Sequence, residues 1–193
     1  QKGKKPILIS DLKLLINAID ESQEKHIRKI RDKALILIGF SGGFRRSELV
    51  NIEIQDIEFV TEGVKIFVKR SKTDQSGEGM RKAIPYFNNN QFCPVIALKK
   101  WIDAFEKNQN KIFNISDKNV ALIIKKYASI AGLDSNKYAG HSLRSGFATS
   151  AAESGAEERN IMAMTGHKTK EMVRRYIKEA NLFKNNALNK IKI

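Results

Sequence analysis

The chain has 193 residues, 41% hydrophobic and 29% charged, which suits one domain with a core of its own. No run of 18 apolar residues is present, so a membrane span is excluded, and the opening stretch QKGKKPILIS lacks the features of a secretory signal. The single cysteine, Cys93, favours a reducing, cytoplasmic setting, and the formal net charge of +14 points to a polyanion as partner.

Apolar periodicity gives a mainly α chain with one small antiparallel sheet, an α+β fold. Ser10 is the expected N-cap of a first helix carrying Leu12, Leu15, Ile16 and Ile19, with Ile9 and Leu14 as its hydrophobic staple. A second helix is expected over about 29–40, stopped by Gly42-Gly43, and a short one begins near Ser47. Between 57 and 86 the period shortens. IEFV, VKIFVK and KAIPY read as strands, the first two joined at Thr61-Glu62-Gly63 and the last two by the polar loop SKTDQSGEGM. After Pro94 come helices at about 94–105, 117–131, 142–154, 156–165 and 170–180, then a tail, 181–193, with Leu182, Phe183, Leu188 and Ile191 as apolar points. Basic residues recur in five places along this order, so several elements can converge on one extended anion, and nucleic acid is the favoured partner.

Four stretches carry the chemistry. In GGFRRSEL, Arg45 follows a glycine stop and offers a planar, permanently charged fork matched to two phosphate oxygens; a plain surface pair with Glu48 is the competing reading. In GHSLRSGFATSAAESG, Arg144 shares a helical face with Phe147, Ala148 and Ala151, and a cation on an apolar face needs a partner. His141 stands one turn earlier, where helix N–H groups favour an anion; a structural ion pair competes with a phosphate at that corner. Lys72 leaves its strand for the loop, where a hairpin-borne lysine can serve as a mobile proton donor, with Lys69 as the fallback register. In TGHKTKEMVRRYIKEA, His167 precedes a helix whose apolar stripe is Met172, Val173, Tyr176, Ile177 and Ala180. Tyr176 is there either for packing or for chemistry. Three histidines and one cysteine show no metal-ligand spacing, and no phosphate-binding glycine loop occurs.

Taken in order, GGFRRSEL, the hairpin lysine, GHSLRSGFAT and TGHKTKEMVRRYI resemble the catalytic domain of the tyrosine recombinases, the phage-integrase family, over nearly the whole chain. The resemblance implies that fold for residues 1–180, with 181–193 docking on a neighbouring protomer. It implies site-specific recombination of double-stranded DNA by cleavage and rejoining through a covalent 3′-phosphotyrosine, in a tetramer on the DNA, with a setting in a phage or mobile element. Tyr176 matches the nucleophile, Arg45 and Arg144 the pair on the non-bridging oxygens, and Lys72 the donor to the leaving 5′-oxygen. His141 matches the acceptor of the tyrosine proton, His167 a hydrogen bond to phosphate, and Glu48 a supporting acid. No metal or other cofactor is implied. A phenol of pKa near 10 is only about 0.1% ionised at neutral pH, and preorganised donors contribute roughly 3 to 4 kcal/mol each to such a transition state. Two alternatives stand beside this one: topoisomerase-like strand relaxation of type IB, and a DNA-binding module without catalysis. The N-terminal DNA-clamping domain of most relatives has no counterpart in these residues, so the sequence reads as a fragment or a minimal form. Arg46 stands where relatives often have an aliphatic residue.

Overall fold

The computed structural model describes residues 3–69, 79–105, 109–182, 184 and 186–191. Among them, helices α1 (Ile9–Glu21), α2 (His26–Ser41) and α3 (Arg46–Val50) precede strands β1 (Ile57–Val60), β2 (Gly63–Val68) and β3 (Met80–Pro85). Helices α4 (Pro94–Ala104), α5 (Asp117–Ile130), α6 (Ser142–Glu153), α7 (Glu158–Thr165) and α8 (Lys170–Asn181) follow. The expected mainly helical chain with a small antiparallel sheet is what forms. The expected hairpin position Lys72 lies outside the described residues.

Helix α2 is the centre of the molecule. Ala34 to Ile38 are five consecutive buried residues, so the C-terminal half of this helix is enclosed on every side; the helix packs against α1, α4 and α6. Each of the leucine and isoleucine side chains among them contributes about 1.5–3 kcal/mol on burial. Three buried polar side chains around it have partners: Tyr127 donates to Asp32 Oδ2 at 2.8 Å, Arg31 closes on Asp32 Oδ1 at 2.8 Å, and Trp101 Nε1 donates to the Ile112 carbonyl at 2.7 Å.

The sheet runs β1-β2-β3, all antiparallel, with Ile57 opposite Ile66 and Ile66 opposite Lys82. Alternation therefore turns Met80, Lys82 and Ile84 to the same inner face as Ile66 and Val64. A second, smaller apolar cluster joins the last three helices: Ala148 and Ala152 of α6, Ile161 of α7 and Val173 of α8.

Three expectations fail. Helix α1 starts at Ile9 with Leu8 as its cap residue, so Ser10 lies inside it and caps nothing, and Ile9 and Leu14 are exposed instead of stapled. The start is set by the segment before it, where Lys5 N–H donates to Lys137 O at 2.7 Å and Ile7 N–H to Ser142 O at 2.9 Å. Met172 is half exposed, because the buried stripe of α8 is narrow and centred on Val173. Past α8, Lys184 Nζ bonds the Glu153 carbonyl and Ala187–Lys190 form a 3₁₀ turn, with Leu188 and Ile191 exposed. No helix among the described residues is long and apolar enough to cross a membrane.

Candidate active site

The turn between α2 and α3 sets the first arginine. Gly43 takes φ 54°, and a Cβ there would meet Phe147 at 3.0 Å and Thr165 at 3.1 Å, so this turn needs glycine on both counts. Arg45 follows as the cap residue of α3, and buried Glu48 holds it twice, accepting from its backbone N–H at 2.9 Å and from Nη1 at 2.6 Å. The carboxylate thus satisfies a free helix N–H and fixes the guanidinium at once. The Arg45 side chain remains 34% exposed, so the rest of its fork is open to a ligand.

Arg144 projects from α6 into the same place and is 8% exposed. Its Nη1 donates to the Gly43 carbonyl at 2.9 Å and to the Thr165 carbonyl. Among the described residues, the partner demanded for a cation on an apolar face is therefore backbone oxygen. Burial lowers Arg144 to about 10, helped by the Arg45 charge and opposed by Glu48 and Tyr176. Arg45, Glu48 and Tyr176 all lie within its field.

His167 follows the left-handed Gly166 that ends α7, and it is buried. The Thr165 hydroxyl donates to Ile161 O at 2.8 Å, so its oxygen receives the His167 Nδ1–H at 2.7 Å and Nε2 is left with a lone pair. Burial depresses His167 to about 4, with the charges of Arg144, Arg45 and Lys82 adding, so the ring is neutral at neutral pH. The Tyr176 ring lies against it, centroids 6.0 Å apart. Helix α8 is held there by Val173 and by an ion pair from Arg174 Nε to Glu158 at 3.0 Å.

His141 is exposed at the start of α6. Partial desolvation lowers its pKa, with the charges of Arg46 and Lys4 adding. Arg46 reaches it by crossing Gly140, where a Cβ would strike Arg46 Cδ at 1.9 Å, so Arg46 belongs to the site's edge. Lys69 bonds Glu53 at 2.5 Å with Asp56 at 3.6 Å, and the Glu53 hydrogen bond raises its pKa. A cavity of about 310 Å³ opens between Arg45, Glu48, Lys69, Met80, Gly166 and Lys168. A larger one, about 730 Å³, includes Lys29 and Lys33, both bonded to Asp20.

The structure thus assembles Arg45, Glu48, Arg144, His167 and Tyr176, while His141 stands exposed at the N-terminus of α6, with Arg46 and Lys4 as the charges that act on it. The model of the phage integrase family matches residues 8–182. The chain belongs to the phage integrase family. It is 48% identical to the integrase/recombinase xerD homolog of Selenomonas ruminantium, over 99% of this chain and 59% of that protein. It is 30% identical to tyrosine recombinase XerA of Pyrococcus horikoshii, over 94% of this chain and 63% of that protein. The chain therefore spans less than two thirds of these relatives. The fold matches a crystal structure of XerA recombinase with a TM-score of 0.74 at 20% identity, covering all of this chain and 66% of that one. It matches XerH recombinase in a post-cleavage complex with palindromic difH substrate at 0.73 and 18% identity, covering 96% of this chain and 54% of that one.

One cation of this integrase-family site escaped the reading of the sequence. Lys82 is fully buried, with its ammonium 4.6 Å from the centre of the Phe44 ring. The signal was the alternation of MRKAIP, which puts Lys82 inward beside Met80 and Ile84. Among the described residues, no group of three or more His, Cys, Asp or Glu side chains is placed to hold a metal ion.

Proposed function

We propose that residues 1–180 are the catalytic domain of a site-specific recombinase that cuts and rejoins double-stranded DNA through Tyr176. The observation that carries this reading is the meeting of Tyr176 with His167 in a pocket where Arg45 and Arg144 outnumber their one carboxylate, Glu48. Such a pocket is built for a group that brings negative charge, and a DNA phosphate supplies it. The Tyr176 oxygen attacks phosphorus, the bond to the 5′-oxygen breaks, and the energy of the phosphodiester is kept in the 3′-phosphotyrosine for religation. Arg45 and Arg144 hold the non-bridging oxygens. His141 accepts the tyrosine proton, its pKa kept low by partial desolvation and by Arg46. His167 offers Nε2 to the phosphate once the arriving anion offsets the neighbouring cations and lets the ring take a proton.

Lys72 delivers the proton to the 5′-oxygen. Lys69 is the poorer acid for this step, because its bond to Glu53 raises its pKa further from neutrality. The tail, 181–193, docks on a neighbouring protomer in a DNA-bound tetramer, which its exposed Leu188 and Ile191 suit. An N-terminal clamp completes the grip on DNA, in keeping with relatives longer than this chain.

The test uses the full-length protein and a pool of nicked duplexes with a randomised core, incubated in EDTA. Covalent adducts are recovered under denaturing conditions and sequenced. A wild-type adduct that disappears in Tyr176→Phe, with DNA affinity retained, is the expected result. No adduct, or one that survives Tyr176→Phe, overturns the reading. Exchange of strands between two captured sites separates recombination from simple relaxation.

A further inference from the structure

Two buried cations tie the same two loops together. Arg144 bonds the carbonyls of Gly43 and Thr165. Lys82 bonds the carbonyls one residue earlier in each loop, Gly42 at 2.6 Å and Met164. The first loop leads in three residues to Arg45, and the second leads in three residues to His167. The two cations enter from different elements, β3 and α6, and form parallel rungs between the loops. Without Lys82 the rung nearer the sheet is lost, and two carbonyls are left inside without donors.

We propose that Lys82 is a positioning residue for strand cleavage: by bridging Gly42 and Met164 it fixes the spacing between Arg45 and His167 around the scissile phosphate. Lys82 does not touch the phosphate, since it is fully buried and its hydrogen bonds go to the two loops. The bridge does not need a charge, because a neutral amine still has two N–H groups for two carbonyls. The facing charged groups are Glu48 on α3, Arg144 on α6 and Arg45 between α2 and α3, so the ammonium form adds a third cation to the phosphate pocket. The kinetic part of this assignment rests on the phosphotyrosine reading above; the structural part does not.

Hydrogen exchange on the full-length protein tests the structural part without DNA. In Lys82→Met, amides of 42–50 and 161–168 should exchange about tenfold faster, while α1 and α5 keep their protection. Lys82→Gln, which keeps one N–H pair, should fall between. Unchanged exchange at both loops, or faster exchange through the whole fold in both variants, overturns the bridge. On a captured duplex, the single-turnover cleavage rate constant of Lys82→Met should fall about 10- to 100-fold with DNA affinity within about threefold. Lys82→Arg should recover part of the rate. A lower adduct yield at an unchanged rate constant would reduce Lys82 to a core residue. If the wild type itself forms no adduct, the recombinase reading fails, and the exchange result still decides the bridge.

Discussion

Tyr176 lies ring to ring with His167, their planes inclined at 42° and their centroids 6.0 Å apart. The tyrosine comes from α8, while the histidine is fixed to the end of α7 through Thr165. The Tyr176 hydroxyl is therefore placed by an aromatic contact whose other half is held by a hydrogen bond. That arrangement makes the threonine hydroxyl part of the placement, although Thr165, which opens the stretch TGHKTKEMVRRYIKEA, carries no charge.

Removing that hydroxyl should cost both stability and rate. Thr165→Val keeps the shape but leaves the His167 Nδ1–H without an acceptor, a loss of about 1–3 kcal/mol. Single-turnover cleavage should slow by about tenfold as the ring leaves its productive orientation. Thr165→Ser should stay near wild type. A Val variant as fast as wild type would show that the hydroxyl does not set the ring.

Glu48→Gln should loosen Arg45 and leave the pocket with excess positive charge. The variant keeps an acceptor for the Arg45 backbone N–H but loses the charged partner of Nη1, worth about 1.5–3 kcal/mol. Thermal denaturation should show the loss, and added phosphate should recover more of it than in wild type. Equal recovery in both proteins would mean that Glu48 does not balance the site.

Stability should rise with pH above neutrality. Burial depresses Lys82 from 10.5 to about 7, Glu48 opposing and Arg144 and Arg45 adding. Between these two values the unfolded chain binds more protons than the folded one, so raising the pH favours the fold across that window. The melting temperature should therefore climb from pH 7 to pH 9 at constant ionic strength, and the climb should flatten in Lys82→Met. Parallel curves for the two proteins would show that Lys82 does not enter the fold as a costly charge.

How much of this was legible in the sequence depended on how local each cause is. Strand IEFV and the glycine stop at 42–43 are set by neighbours in the chain and form where the pattern places them, while the strand expected at KAIPY forms as MRKAIP, starting two residues earlier. Arg45 and Glu48 are three residues apart, so their pairing could be read directly. The carbonyl partners of Lys82 lie 40 and 82 residues away, and no local pattern reveals such a bond. A lysine in a strand reads as outward-facing by its charge, yet its register made it inward. The start of α1 was misread for a similar reason: the preceding segment is fixed by Lys137 and Ser142, far along the chain.

Helix α8 rests on the small cluster of Ala148, Ala152, Ile161 and Val173, apart from the main core around α2. The sole tryptophan, Trp101, is buried in that main core. Its fluorescence therefore follows the main core and is blind to whether the tyrosine helix is seated. The folded fraction and the competent fraction of a preparation are then separate quantities, and a sample that melts as one sharp transition can still hold molecules with Tyr176 out of place. With Tyr176 as the nucleophile proposed above, a count of covalent adducts per molecule measures the second.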